Sequence, residues 1–428
     1  MKPLQSYNSE EIEALELALK NEYNEYKSKN LKLDMSRGKP STKQLDISID
    51  MLHILENNKD YFDENGTDCR NYGLLDGIPE AKRFFAELLD ISPEEIIIGG
   101  NSSLNMMYDT IARAMTHGVL GSEKPWFKYD KIKFLCPSPG YDRHFGICAH
   151  FNIEMITIDM LEDGPDMDKI EKLVSEDETI KGIWCVPKYS NPEGKTYSDE
   201  VVRRFANLKP KATDFRIFWD NAYAWHHLSD KHDEILNIFD ECRKAGTENM
   251  VFEYASTSKV TFPGAGVALL AASVPNVSFI KKQLIVQTIG PDKLNQLRHV
   301  KYFKDANGLY EHMKKHGEIL KPKFNCVLQT LKNELDGYEV AEWNSPRGGY
   351  FVSLNTMDGC AKRTLRLLKE AGVVMTSAGA TFPYGVDKRD RNIRIAPTFP
   401  PLEELETAMK LFCICVKLAS CEKILSNL

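Results

Sequence analysis

From Asn8 onward the apolar residues Ile12, Leu15, Ala18 and Leu19 recur at three- and four-residue intervals, the spacing that lays one stripe along a helix. Asn8 and Glu11 stand three apart as a capping box, so a helix is predicted from there to about Lys27. Turn formers fill Ser36-Arg37-Gly38-Lys39-Pro40-Ser41, and a weaker helical pattern follows at about 47–57. A second loop, Arg70 to Pro79, leads into a predicted helix at about 79–89. Then the period changes. Ile96-Ile97-Ile98 is a short apolar strand that ends in Gly99-Gly100-Asn101-Ser102-Ser103, with helical character to about Met115.

Unbroken apolar runs recur at 132–136, 154–158, 182–186, 216–219, 250–254 and 267–272, separated by helical segments such as 168–173 and 198–208. Strands without polar alternation are buried on both faces, so the pattern predicts an α/β fold: a mainly parallel central sheet with helices on both faces. After Pro291 the chain reads as helix to about Leu335. A strand at Gly349–Leu354, a helix at 361–370, short strands near 373–376 and 392–396, and a closing helix from Glu403 follow. These suit a smaller α+β domain to which the first forty or so residues return. The expected division is 1–50 as an N-terminal helix and segment of that small domain, 51–300 as the large domain, and 301–428 as the C-terminal small domain.

Composition narrows the function. The 428 residues are 42% apolar and 27% charged, ordinary for a globular chain. A net charge of −7 argues against nucleic acid as a partner, because such surfaces cluster Lys and Arg. No stretch approaches eighteen uncharged apolar residues and the start lacks an apolar leader, so no membrane association is expected and a cytoplasmic location is. The ten cysteines show no CxxC pair and no Cys/His ligand spacing, which favours buried thiols over disulfides or a metal site. Cys136, Cys148 and Cys185, in apolar runs, read as core, as does Trp184.

Five places bear chemistry, each with a plainer alternative. Gly100, Asn101 and Ser102 sit in a strand-to-helix turn whose N–H groups and hydroxyls suit a phosphate; it matches neither nucleotide fingerprint, and a simply capped helix is the alternative. Asp220 ends an apolar strand, where carboxylates often face a ligand crevice, or it caps the next helix; Tyr223 offers a phenol nearby or packs through its ring. Asn191-Pro192-Glu193-Gly194 presents an amide or only a turn. Lys259, among Ser256, Thr257 and Ser258, is a candidate nucleophilic amine or a solvated charge. Arg394, between Ile393 and Ile395, suits an enclosed carboxylate or an internal salt bridge.

In their order these runs resemble the class I and II aminotransferases of pyridoxal-phosphate fold type I. The match lies in Asn191-Pro-Glu-Gly194, Asp220-Asn-Ala-Tyr223, Ser256-Thr-Ser-Lys259 and Asn392-Ile-Arg394. The wording of Arg37-Gly-Lys-Pro-Ser41, Pro139-Gly-Tyr-Asp-Arg-His-Phe145 and Ser258–Gly266 is similar to a bacterial aspartate aminotransferase subgroup sometimes called type Ic. The resemblance implies that Lys259 holds pyridoxal 5′-phosphate covalently and then shuttles a proton between the substrate Cα and the cofactor. It implies that Asp220 pairs with the pyridine nitrogen, that Asn191 and Tyr223 bond the ring oxygen, and that Tyr141 stacks on the ring. Gly100, Asn101, Ser102, Ser256 and Ser258 would cradle the phosphate, joined by Tyr72 from a second subunit, so a homodimer with composite sites is implied. Arg394 would bind the α-carboxylate, with the Gly38 backbone closing over it and Gly348-Gly349-Tyr350-Phe351 starting a small-domain strand.

The implied substrates are an amino acid and a 2-oxo acid, most directly aspartate or glutamate with 2-oxoglutarate. Arg37, Arg143, Arg347 or a partner-subunit residue would take the distal carboxylate. One departure is visible: many relatives carry a phosphate-binding arginine where this chain has Val267. A C–S lyase, a decarboxylase or a broad-specificity transaminase is the first alternative. The aminotransferase-like domain of a transcriptional regulator is a second, disfavoured because one acidic helix stands where a basic winged-helix domain would be needed.

Overall fold

The computed structural model describes residues 2–426 of the 428. Helix α1 (Ser9–Ser28) is capped as its sequence implies: Asn8 Oδ1 accepts the Glu11 N–H and Glu11 Oε2 accepts the Asn8 N–H, each at 2.9 Å. Strand β1 (Leu33–Met35) and helix α2 (Thr42–Asp46) follow. The helix expected at 47–57 is replaced. Gln44 Oε1 accepts the Ser41 N–H at 3.0 Å, which starts α2 early, and beyond Asp46 the chain tightens into a 3-10 turn over Ile49–His53. The β-branched Ile47 and Ile49 flanking Ser48 do little to prolong an α-helix.

Helix α3 (Pro79–Leu89) begins on proline, and β2 (Ile96–Ile98) turns through Gly99–Ser102 into α4 (Ser103–His117). Strand and helix then alternate through β3 (Lys133–Ser138), α5 (Asp142–His150), β4 (Glu154–Asp159), α6 (Met167–Glu176) and β5 (Ile180–Cys185). The alternation continues with α7 (Asp199–Ala206), β6 (Arg216–Asp220), α8 (Ile238–Ala245) and β7 (Val251–Ser256). Strand β8 (Ala268–Ala272) leads to three helices, α9 (Val274–Gln287), α10 (Lys293–Phe303) and α11 (Ala306–Leu335). The remaining elements are β9 (Ala341–Trp343), β10 (Val352–Thr356), α12 (Ala361–Glu370), β11 (Val373–Met375), β12 (Asn392–Ile395) and α13 (Leu402–Leu425).

Seven strands form the main sheet in the order β2-β8-β7-β6-β5-β3-β4, and only β8 runs against its neighbours. Successive side chains enter different cores: Ile217 and Trp219 of β6 join one cluster, while Phe218 between them joins the other with Trp184 and Phe252. Both faces are buried, which is why these strands read as unbroken apolar runs. Because β5, β6 and β7 are parallel neighbours, the residues just beyond their ends meet along one edge of the sheet.

The first residues pack with the last. Strand β1 pairs in parallel with β11, the Tyr23 hydroxyl donates to Leu367 O at 2.9 Å, and α13 is buried against α1, α11 and α12. Strands β12, β10 and β9 form a separate antiparallel sheet. The strand expected from Gly349 begins at Val352. Gly349 takes φ +80° and spends its N–H on His226 O at 2.8 Å, leaving nothing for a ladder. Helix α9 had no sequence signal because its apolar residues do not share one stripe: Val277 and Ile280 are buried while Ile285 and Val286 face outward. The described cysteines are free, and all but the half-buried Cys326 are buried. Among the described residues no helix is long and apolar enough to cross a membrane.

Glu253 of β7 is buried, and desolvation pushes its carboxyl up to about 7, although Asn221 Nδ2 donates to Oε1 at 2.9 Å. A raised carboxyl keeps in the folded state a proton that the unfolded chain has lost, so it subtracts stability as pH rises from about 4.5 to about 7. Glu253→Gln is therefore expected to flatten that part of the profile, raising the thermal midpoint more at pH 8 than at pH 5. Equal midpoint shifts at both pH values would contradict it.

Candidate active site

Beyond the ends of β5, β6 and β7 lies a pocket of about 160 Å³ lined by Asn191, Asp220, Tyr223, Ser256, Ser258 and Lys259. Ser102, at the start of α4, and Tyr141, before α5, close it from the side. Strand topology thus gathers residues that sequence spacing scatters over more than 150 positions.

Asp220 is 2% exposed, and its two oxygens differ. Oδ2 is hydrogen bonded to His144 Nε2 at 3.0 Å, whereas Oδ1 is buried with no partner among the described residues. It does not cap a helix. The His144 ring stacks on Trp184, 4.4 Å between centroids, and meets Tyr141 edge-on at 4.9 Å, so the pair is held from two sides. His144 escaped the sequence reading. Its position three residues after Tyr141 on one helical turn was the only signal.

Lys259 is half-buried, and desolvation lowers its pKa against the opposing pull of the Asp220 charge. Its Nζ lies 4.9 Å from the Tyr223 ring centroid and makes no ion pair or hydrogen bond among the described residues. The loop carrying it is pinned. Thr257 Oγ1 accepts the Val267 N–H at 2.9 Å and bonds His299 Nε2 at 3.0 Å, and Val260 O meets His312 Nε2 at 2.8 Å. Burial depresses both histidines, His299 to about 4, so both are neutral near pH 7. Tyr223 and Tyr141 are raised by burial, Tyr141 to about 12, so both phenols keep their protons.

Arg394 meets both alternatives left open by its sequence. Nη1 donates to Asp142 Oδ1 at 3.1 Å and to Asn191 Oδ1 at 3.2 Å, and Nη2 donates to Thr376 Oγ1 at 3.2 Å. An internal salt bridge exists, yet the Nε–H is buried and has no acceptor among the described residues. The Phe351 ring lies 4.9 Å from the guanidinium carbon, and Gly38 packs on that ring so closely that a Cβ would come 2.5 Å from its edge. Thr376 ties this arrangement to the first loop by donating to Ser36 O at 2.7 Å.

The remaining residues divide. Ser256 Oγ donates to Ser258 Oγ at 3.0 Å and Ser258 Oγ to Asn101 O at 3.1 Å, which places the Gly100–Ser102 turn beside the lysine loop. Arg37 and Arg143 are exposed, and Arg347 is paired with Asp233 at 3.3 Å. Tyr72 is 78% exposed and is not part of this pocket. Val267 is buried, and Lys259 is the only cation lining the pocket among the described residues.

These residues fit pyridoxal 5′-phosphate. The orphaned Asp220 Oδ1 suits a ring N–H, and the unpaired amine of Lys259 suits an aldehyde carbon. At the N-terminus of the 15-residue α4, the Ser102 side chain caps no backbone N–H. Gly100 leaves open space where a Cβ would stand, so N–H groups, hydroxyls and the helix dipole can meet a phosphate without an arginine.

Known proteins resemble this chain over almost its whole length. Residues 7–427 match the family model described as aspartate amino-transferase. The chain is 48% identical, over 95% of its length and 95% of the other's, to a Mycolicibacterium smegmatis protein with a provisional aminotransferase name. It is 44% identical to the aspartate aminotransferase of Corynebacterium glutamicum, covering 98% of this chain and 96% of that one. The crystal structure of an aspartate transaminase from Corynebacterium glutamicum superposes with a TM-score of 0.96, covering 98% of this chain and 99% of that one. At 18% identity, an α-aminoadipate aminotransferase of Thermus thermophilus, complexed with N-(5′-phosphopyridoxyl)-L-leucine, shares the fold, covering 92% of this chain and 93% of that one (TM-score 0.74).

Proposed function

The chain belongs to the aspartate amino-transferase family, and from that premise we propose that it moves the amino group of L-aspartate to 2-oxoglutarate, giving oxaloacetate and L-glutamate. It is an aminotransferase that works with pyridoxal 5′-phosphate. The near-full-length likeness to an aspartate aminotransferase supports the choice of donor. The observation that carries the chemistry is the convergence of a half-buried amine without a partner, a half-free buried carboxylate and a guanidinium with a free N–H among the described residues.

When bound, the cofactor supplies a sink for the electron pair left on the substrate Cα. Lys259 would hold it, with Asp220 Oδ1 on the ring nitrogen, Asn191 and Tyr223 at the ring oxygen, and Tyr141 along the ring. Gly100, Asn101, Ser102, Ser256 and Ser258 would take the phosphate. Lys259 Nζ, whose hold on a proton desolvation weakens, takes the proton from the donor's Cα and returns one to the Cα of the acceptor. His144 holds the Asp220 carboxylate in place. Arg394 orients the α-carboxylate by exchanging part of its bond to Asp142 for the substrate. Gly38 would close over that carboxylate as the small domain, 1–50 with 301–428, moves against 51–300.

Arg37 and Arg143 are the candidates for the distal carboxylate within this chain, since Arg347 is already paired, and Arg37 stands next to Gly38. Arg394→Ala is expected to raise KM for every carboxylate substrate by about 10²-fold. For Arg37→Ala the expected rise is confined to dicarboxylates, read from KM for aspartate and for alanine. A uniform rise in Arg37→Ala would remove it from the distal role.

A homodimer completes this reading. Tyr72 is strongly exposed beside Gly73, whose carbonyl Gly290 packs against, and Ile285, Val286 and Ile289 project outward from the adjoining segment at 60–89% exposure. An apolar surface of this kind suits a second copy, which would receive Tyr72 at its phosphate site. The deciding experiment is a panel of amino donors with 2-oxoglutarate, following glutamate formation and the keto acid. Aspartate as the best donor is expected; release of sulfide, ammonia or carbon dioxide instead would reject amino transfer.

A further inference from the structure

Past the core of β6, side chains fall alternately on two sides of the strand end. Asp220 and Ala222 line the active-site pocket, while Trp219 and Asn221 line a second cleft of about 960 Å³ between α8 and α11. The two share no lining residue.

The polar lining of this cleft is unusual. Lys188 is 6% exposed and has no hydrogen bond or ion pair among the described residues. Two acids lie near it: Asp233 accepts from Thr196 and Arg347, and the Glu234 side chain is strongly exposed. Asn221 is 9% exposed, and its Oδ1 is buried without a donor among the described residues. Its Nδ2 donates to Glu253, which is 5% exposed and has no cation beside it among the described residues. Trp219, Trp225 and Leu228 supply the apolar wall. A lysine and a glutamate that are largely buried and have no counter-ion among the described residues serve the fold less well than Met and Gln would. Amino transfer uses neither.

We propose that this cleft is an effector site for a free α-amino acid with an apolar side chain, its carboxylate on Lys188, its ammonium between Asn221 Oδ1 and Glu253, and its side chain against Trp219 and Trp225. A cation and an acid, each without a counter-ion among the described residues and both lining one cleft with a tryptophan wall, are the complement of a zwitterion. Occupancy reaches the active site through the backbone. Asn221 directly follows Asp220, and its N–H is bonded to Tyr254 O at 2.8 Å. Farther along the same wall, Leu228 N–H donates to Arg347 O at 3.0 Å, at the approach to the Gly348–Phe351 segment.

The test is equilibrium binding of L-phenylalanine to the borohydride-reduced holoenzyme, with 3-phenylpropanoate and phenethylamine as carboxylate-only and ammonium-only probes. This arm does not depend on which amino donor the enzyme prefers. L-Phenylalanine is expected to bind at least about tenfold tighter than either probe, to weaken by about tenfold or more in Lys188→Met, and to be retained in Arg394→Ala. Glu253→Gln should weaken L-phenylalanine but not 3-phenylpropanoate, which keeps the idea testable should Lys188→Met fold poorly. In turnover assays, the change in donor KM caused by L-phenylalanine should vanish in Lys188→Met. Binding that is absent, or that survives Lys188→Met and is lost in Arg394→Ala, overturns the site. An unchanged KM effect in Lys188→Met is competition for the substrate pocket and overturns the effector role.

Discussion

Lys259→Ala is expected to lower turnover by about 10⁴-fold or more while the folded protein survives. Two contributions vanish together, the covalent hold on the cofactor and the base at the substrate Cα, and general-base catalysis alone supplies about 10²–10⁴. The fold should tolerate the change because Lys259 Nζ makes no ion pair or hydrogen bond among the described residues, and desolvation outweighs the stabilising pull of the Asp220 charge on its ammonium. Loss of a few methylenes from the core is offset by relief of that desolvation. The measurement is exchange of the Cα proton of aspartate with deuterated solvent, beside a thermal melt. Exchange at the wild-type rate would remove Lys259 from proton transfer. A collapse of the melt would show instead that the residue is structural.

Asp220→Asn is expected to reduce kcat by about 10²–10³-fold, the scale of losing one preorganised electrostatic contact in a dry site. Asparagine keeps the shape and can still bond His144 Nε2, so the stack of His144 on Trp184 should persist. What is lost is the negative charge behind Oδ1, the oxygen that no residue satisfies among the described residues. The expected signature is therefore a fall in kcat with a smaller change in KM for aspartate, and weaker retention of the cofactor on dialysis. A near-normal kcat would mean that the ring nitrogen is served from elsewhere.

Residues at strand ends were the legible part of this site. Asn191, Asp220 and Ser256–Lys259 each follow an apolar run, and parallel pairing of β5, β6 and β7 makes three separate run ends into one edge. Their contact partners were not legible. His144 reaches Asp220 across 76 positions and Asp142 reaches Arg394 across 252, and no local pattern encodes such distances. Short pieces were missed for a related reason. Strand β1 has three residues, and what defines it is its partner β11 rather than its own sequence. The early start of α2 was legible in Ser41 and Gln44, but the apolar residues beyond them drew the expected helix too far along the chain.

That pairing of β1 with β11 also sets an order of events during synthesis. Met35 must wait for Met375, an interval on the order of 20–70 s at translation rates of roughly 5–20 residues per second. Until then the apolar face of α1, with Ile12, Leu19 and Tyr23, has no α13 or Leu367 to cover it. The large sheet can assemble on the ribosome, but the guanidinium of Arg394 and the loop at Gly38 come together only after nearly the whole chain has emerged. A ribosome-bound chain stalled before α13 should thus present a folded sheet, an uncovered first helix that chaperones can grasp, and no capacity to orient a substrate carboxylate.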